Sequence, residues 1–434
     1  ADHLRARDDN PRRVLYEQHV VRGRILDRDG VVLADVEVAD DGTVTRRYRI
    51  PEAAPAVGYA SLRYGSGGIE AVFDAELRGE ADRSGWQVAW EELLHRPPHG
   101  HDVQLTLDAP LQIQAQRALE DCAGAVILLD ATNGEILALA SSPTFDPEHL
   151  DEEWDALSED PAAPLLNRAT QGLYQPGAAI QTVILAEALT EGLADLSAPT
   201  SNATATVTVN GARLGCSTAP SEPYTLADAY GAACLAPFAE LGERLGAGGL
   251  EKAMEQWALT NPPALEIPTE AADWDKEALA TTAALRAEAI GQGRLTVSPL
   301  RMALVAGTLA NEGTTPVPCL VLRVQDAKGR WQEHPSIGQP RAVLSPARAH
   351  ELLAAWRRYD GDPSTLLRTS VAAHWGVAVA GEGQPPHTWF IGVAPAGSPF
   401  PKSVYSVAVL IEHTTTSEVA VSIGTALLQA ASTP

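Results

Sequence analysis

Apolar and polar positions change their period several times along this chain, and each change marks an element. From Val20 to Val38 they alternate, with turn residues at Gly23 and at Asp29-Gly30, which predicts a β-hairpin around the Asp-Gly pair. A second hairpin turns at Asp41-Gly42 and returns along Thr43–Ile50. Residues 56–79 are glycine-rich and then take helical spacing from Ile69 to Leu77. Val103–Leu107 reads as a short strand, after which Asp108-Ala109-Pro110 opens a helix with the Asp as N-cap and Leu111, Ala115 and Leu119 on one face. Ala123–Asp130 and Ile136–Ser141 are apolar runs joined through Thr132-Asn133-Gly134, a strand pair.

The stretch Leu165–Thr190 is the centre of the pattern. Gly172 and Pro176-Gly177 break the chain, and Ala178–Leu189 then runs almost wholly apolar with high helix propensity. A small-residue entry into a buried helix suits a nucleophile, because unpaired N–H groups there stabilise developing negative charge. Yet Ala178, Ala179, Ile180 and Gln181 fill that first turn, without hydroxyl, thiol or amine. Further on, Asn202–Arg213 reads as a surface hairpin, and Thr225–Leu245 as a helical region interrupted near Ala233–Pro237. Leu279–Asn311 is a second helical stretch, in which Ser298 caps a helix with Pro299 at its first position. Strands are expected at Cys319–Val324, Val377–Ala380, Thr388–Val393 and Val404–Glu412, before a closing apolar helix at Val419–Ala430. The sum is an α+β fold, helices against an antiparallel sheet, preceded by a small mostly β domain. The boundary is expected near residue 100, giving domains 1–100 (with its linker) and 101–434.

Composition narrows the function. With 56 acidic against 32 basic residues the net charge is −24, which argues against nucleic acid or an anionic membrane surface as partner. No run of 18 apolar residues is present and no signal peptide is visible at Ala1, so the chain reads as a mature or trimmed ectodomain. Residues 1–13 read as a charged, poorly ordered arm. Cys122, Cys216, Cys234 and Cys319 show no metal-ligand spacing, and His95, His99 and His101 lie in a Pro-containing linker at 93–102; no metal and no cofactor is expected.

Longer motifs carry a resemblance. RGRILDRDGVVLA (22–34), YGSGGIEAVFDAELRG (64–79), VQLTLDAPLQIQAQRALE (103–120), GAVILLDATNGEILALASSPTFDP (124–147), AIGQGRLTVSPLRMALVAGTLANEG (289–313) and HTWFIGVAPA (387–396) follow one another in the order found in class B penicillin-binding proteins. These are peptidoglycan DD-transpeptidases, and the likeness spans nearly the whole chain. The short N-terminal pedestal is similar to that of the smaller actinobacterial-type members. The resemblance implies a penicillin-binding/β-lactamase-like transpeptidase domain and three motifs around one cleft.

At each motif the side chains differ from the family's. PGAAIQ (176–181) lies where the family has PGS-x-x-K, so Ala178 takes the nucleophile's position and Gln181 the base's. The Ser-x-Asn motif aligns with Ala233-Cys234-Leu235. The Lys-Thr-Gly motif aligns with Glu382-Gly383-Gln384, where an acidic side chain repels the carboxylate that the family's Lys and Thr hold. Similar members carry a disulfide at Cys216–Cys234; the alternative is two buried thiols. The expectation is therefore a catalytically inactive pseudo-transpeptidase, a scaffold or regulator in peptidoglycan synthesis or cell division, not an enzyme. Its expected partners are cell-wall synthesis or divisome proteins and peptidoglycan peptide, on the extracytoplasmic side, anchored through an N-terminal segment outside this chain. Two alternatives stand beside it. One is a non-covalent binding module for cell-wall peptides. The other is an enzyme with relocated chemistry drawing on Ser141, Ser142, Thr182, His387 or Glu382.

Overall fold

The computed structural model describes residues 19–81, 99–209, 211–220, 222, 224–357, 371–381, 383–396 and 403–433. The arm at residues 1–13, His95 and Glu382 lie outside them.

Both N-terminal hairpins form where the alternation places them. β1 (Ile25–Leu26) pairs antiparallel with β2 (Val32–Val38), and β2 with β3 (Val44–Tyr48). Gly30 and Gly42 supply the positive φ that the two turns need. The glycine-rich stretch folds as a second small hairpin, β4 (Tyr59–Ser61) with β5 (Gly65–Gly67). The expected Ile69–Leu77 helix is two short pieces, Gly68–Val72 and Asp74–Leu77, parted at Phe73.

The first sheet does not end at residue 100. β6 (Val103–Leu105) runs parallel to β1, and two strands from much later in the chain, β12 (Val321–Gln325) and β13 (Trp331–Glu333), extend the sheet to the order β13-β12-β6-β1-β2-β3. Residues 321–333 thus complete a sheet begun at residue 25. α1 (Ala109–Arg117) follows, its Asp108 side chain accepting from the Leu111 N–H.

The second sheet holds the main core. β7 (Gly124–Asp130) and β8 (Ile136–Ser142) are buried at every position. After them come α2 (Leu150–Glu159), a 3-10 turn at Gly177–Ile180 running into α3 (Gln181–Thr190), and the small hairpin β9 (Val207–Val209) with β10 (Ala212–Leu214). Then follow α4 (Leu226–Gly231), α5 (Ala236–Gln256), α6 (Thr282–Ala289) and α7 (Pro299–Ala310), with Ser298 capping α7. β11 (Thr314–Thr315) pairs with β14 (Arg341–Ala342), on either side of β12 (Val321–Gln325) and β13 (Trp331–Glu333). α8 (Pro346–Arg357) precedes β15 (Ala372–Ala378), β16 (His387–Ala394), β17 (Tyr405–Ile411) and α9 (Glu418–Ala431). The sheet order is β15-β16-β17-β7-β8, antiparallel throughout, with α9 and α1 packed on one face and α3 and α7 towards the other. Such a sheet with helices on both sides is the expected α+β architecture.

One expected strand was misplaced. β15 begins at Ala372, not Val377, because the run Val371–Val379 contains His374, Trp375 and Gly376, which blur its apolar signal. That shift decides which residues meet the α3 entry. Among the described residues no helix is long and apolar enough to cross a membrane.

Candidate active site

The turn at Gly177–Ile180 is wedged between two backbones. Gly177 has φ +53°, and a Cβ there would sit 2.3 Å from Val377 O, so only glycine fits without displacing β15. On the other side its N–H donates to Gly291 O at 3.0 Å. The segment Ala289–Gly293 therefore backs the turn, and Gln292 Oε1 accepts the Val379 N–H at 3.0 Å, tying β15 to the same support. Upstream, Trp389 Nε1 donates to Gln175 O at 2.8 Å. Tyr174 Oη and Arg168 Nε both donate to Glu412 Oε1, at 2.7 and 2.8 Å. These bonds hold the chain that enters α3 against the sheet.

Three segments converge on this point. β15 comes so close that a Cβ on Gly376 would lie 2.5 Å from Ala178 Cβ and 3.1 Å from Ser217 Oγ. His374, two residues earlier on the same strand face, donates from Nε2 to Ala178 O at 3.1 Å, since a carbonyl can only accept. Gln181 Nε2 donates to Cys234 O at 3.0 Å, fastening α3 to the 233–235 segment. Ala233 there holds φ +51°, a left-handed conformation unusual for alanine. Cys216 and Cys234 are joined in a disulfide, which places Ser217 beside the turn; the Ser217 N–H donates to Ala232 O.

Burial separates these groups. Ala178 is 1% exposed and Gln181 fully buried, with its Oε1 lacking a partner among the described residues. Ala233, Leu235 and His374 are buried as well. Ser217 is half-buried, and its hydroxyl lies beside the Ala178–Gly376 contact. Behind them, Thr182 Oγ1 and Trp356 Nε1 both bond to Tyr230 Oη, at 2.7 and 2.6 Å, and the Trp356 ring stacks on His374.

The geometry thus assembles Ala178, Gln181 and the Ala233–Leu235 segment. It does not bring in Gly383 and Gln384, which are exposed in the β15–β16 turn, while Glu382 lies outside the described residues. His374, Trp375 and Gly376 occupy the strand beside Ala178 instead. The signal for this register was the glycine itself: Gly376 is the residue that close approach demands. Of the hydroxyls considered for relocated chemistry, Ser141 Oγ is engaged with Leu166 O and the Arg168 N–H, and Thr182 with Tyr230. His387 faces Tyr174 and His413 at the start of β16, and burial lowers its pKa.

Burial also pushes the His374 pKa down to about 4, against the raising effect of its bond to Ala178. An unfolded chain protonates this histidine below about pH 6.5, whereas the folded chain resists until about pH 4. The unfolded state therefore binds more protons in that window, and stability falls as pH drops through it, by about 3 kcal/mol for a shift of this size. Urea midpoints at pH 7.5 and 4.5 test the point. The parent should lose stability that His374→Phe does not, and an equal slope in both proteins would refute the assignment.

Comparison with known proteins agrees with the layout. Residues 124–429 match the family model of the penicillin-binding protein transpeptidase domain, and residues 22–103 that of the penicillin binding protein A dimerisation domain. Peptidoglycan D,D-transpeptidase PbpA of Mycolicibacterium smegmatis is 32% identical, over 95% of this chain and 88% of its own length. PbpA of Mycobacterium tuberculosis is 32% identical over 99% of this chain and 93% of its own length. Among solved structures, M. tuberculosis penicillin-binding protein A in its imipenem acyl-enzyme complex superposes with TM-score 0.83 at 29% identity, covering 96% of this chain and 99% of that one. The same protein is also captured as a penicillin G acyl-enzyme, with TM-score 0.81 at 30% identity, covering 94% of this chain and 99% of that one.

These findings correct the expectation of a non-enzyme. The relatives that this chain resembles end to end are named as D,D-transpeptidases, and one is trapped as an acyl-enzyme with two β-lactams. The inference to a catalytically inactive homologue drew on side chains at motif positions, and the named activity and acyl-enzyme complexes of these relatives stand against it. By its fold, its two matched domains and its near full-length likeness to these relatives, the chain belongs to the class B penicillin-binding proteins, with their transpeptidase and dimerisation domains.

Proposed function

We propose that this chain acts in peptidoglycan synthesis as a D,D-transpeptidase, taking the peptidoglycan stem peptide where the Gly177–Ile180 turn faces β15. The observation that carries the reading is the near full-length likeness to proteins named for that activity. In this reading Ala178 and Gln181 stand at the first motif, Ala233-Cys234-Leu235 at the second, and His374-Trp375-Gly376 at the third, in place of Glu382-Gly383-Gln384. Ala178 offers no atom to acylate, so the attacking oxygen comes from another residue. Ser217 supplies it from its half-buried hydroxyl beside the Ala178–Gly376 contact: the Oγ bonds to the peptide carbonyl carbon, the amide bond there breaks, and the hydroxyl proton leaves on the departing amine. The cell-wall role is the common ground of relatives named peptidoglycan D,D-transpeptidase PbpA and MrdA. An extracytoplasmic location fits the Cys216–Cys234 disulfide, a bond that persists in oxidising compartments. The partners in this reading are other cell-wall synthesis proteins.

Incubation with a fluorescent penicillin, followed by intact mass and peptide mapping, tests the reading. One covalent adduct per chain is expected, on the peptide containing Ser217, and Ser217→Ala should abolish it. A chain that forms no adduct at saturating penicillin refutes acyl transfer at this turn. An adduct elsewhere reassigns the nucleophile.

A further inference from the structure

Glu288, near the C-terminal end of α6, is 1% exposed, a costly place for a carboxylate unless its oxygens are satisfied. Both oxygens accept from the main chain: the Arg294 N–H donates to Oε2 and the Leu295 N–H to Oε1, each at 2.9 Å. Burial raises the Glu288 pKa, and these two amides act against that rise. The helix stops at Gly291, where φ is +65° and the N–H donates to Glu288 O at 2.9 Å, so the chain turns back over the carboxylate. A Cβ on Gly293 would lie 1.7 Å from Glu288 Oε2. The loop rests directly on the carboxylate.

The same loop grips both walls of the proposed site. Gly291 O accepts the Gly177 N–H at 3.0 Å, and a Cβ on Gly291 would lie 2.2 Å from Gly177 O. Gly293 O accepts from Gln175 Nε2 at 2.8 Å, just upstream of the turn. Gln292 meets β15 at two places: Oε1 accepts the Val379 N–H at 3.0 Å, and Nε2 donates to Val377 O at 3.5 Å. Turn and strand thus share one support, and two bonds to one carboxylate define its shape. The close approach of Ala178 and Gly376, beside which Ser217 Oγ lies, is the spacing that this support sets.

We propose that Glu288 is a positioning residue of this site. Its carboxylate shapes residues 290–295, and that loop holds the Gly177–Ile180 turn and β15 at the separation needed for acyl transfer, which rests on Ser217 being the attacking group. Acyl transfer is sensitive to displacements of the reacting groups on the order of 1 Å. Loss of Glu288 therefore slows the covalent step more than it weakens the encounter with penicillin. Glutamine at this position has the same shape but one acceptor oxygen, so it keeps one of the two amide bonds and loses the charge that strengthens them.

Two measurements on the whole chain test the proposal: the kinetics of adduct formation with a fluorescent penicillin, and amide hydrogen exchange. In Glu288→Ala the adduct rate at saturating penicillin should fall at least tenfold, while the concentration giving half-maximal rate shifts less than threefold. Glu288→Gln should lie between that variant and the parent. In both variants exchange at Gly177 and Val379 should quicken together with that at Arg294 and Leu295, and exchange in β7 and β17 should stay as it is. Quickening at Arg294 and Leu295 that stops short of Gly177 and Val379 overturns the proposal. So does equal quickening in every strand, the mark of a merely structural loss. An adduct that forms on Glu288→Ala as fast as on the parent also overturns it, and leaves Ser217 standing. A parent that forms no adduct removes Ser217 instead, and exchange at Gly177 and Val379 then decides whether Glu288 holds the two walls.

Discussion

Glu70→Ala is expected to destabilise the protein by about 3–5 kcal/mol, the cost of leaving buried cations without their counter-charge. Glu70 is fully buried. Its Oε2 accepts from Arg22 Nη2 at 2.7 Å and its Oε1 from Arg46 Nε at 2.6 Å. Arg22 spans further, to Asp74 Oδ1 at 2.6 Å, so one carboxylate joins β1's approach, β3 and the two short helices after β5. Removing it leaves the enclosed Arg46 guanidinium without a counter-charge and Arg22 with Asp74 alone. Glu70→Gln keeps the shape and some hydrogen bonds, and should cost less. Urea unfolding of both variants checks the order. A loss below about 1 kcal/mol for Glu70→Ala would mean that water reaches the cluster and screens it, as at a surface pair.

Breaking the Cys216–Cys234 disulfide should cost about 3 kcal/mol, the loop-closure entropy of a short bridged segment. The two cysteines are 18 residues apart, and between them run the polar stretch 217–224 and the buried helix α4. Little apolar burial holds the described residues of 217–224, so the covalent link to the segment after α4 restricts that part of the loop. The effect reaches the proposed site, because Ser217 adjoins Cys216 and Cys234 O receives Gln181 Nε2. Reduction should therefore lower the urea midpoint and slow the Ser217 adduct together. Cys319 does not confuse the experiment: burial pushes its thiol up to about 12, so it stays protonated and unreactive at neutral pH. An unchanged midpoint after complete reduction would show that packing alone orders the segment.

Local pattern was enough for much of the fold. The two Asp-Gly hairpins, the Asp108 and Ser298 caps, the buried pair β7–β8 and the helix after Pro176-Gly177 all formed where periodicity and turn chemistry placed them. Each of these is decided within about a dozen residues, by side-chain spacing and backbone preference. The family motifs were equally legible. YGSGGIEAVFDAELRG held its place, although nothing in its letters said that Glu70 and Asp74 clamp Arg22, 48 and 52 residues away.

The site depended on the tertiary structure. β15 approaches the turn at Ala178 so closely that only Gly376 fits there, whereas Gly383 and Gln384, expected at the third motif from chain spacing, are exposed in the β15–β16 turn. The sheet that begins at β1 and closes with β12 and β13 crosses the boundary expected near residue 100, because strand pairing ignores sequence distance once two edges meet. The half-buried hydroxyl of Ser217 carried no motif, and its place follows from a disulfide and one backbone bond. Sequence by itself determined the elements, their order and the family. Tertiary structure decided which side chains face one another, since those contacts join segments up to 244 residues apart, as Arg168 and Glu412 are.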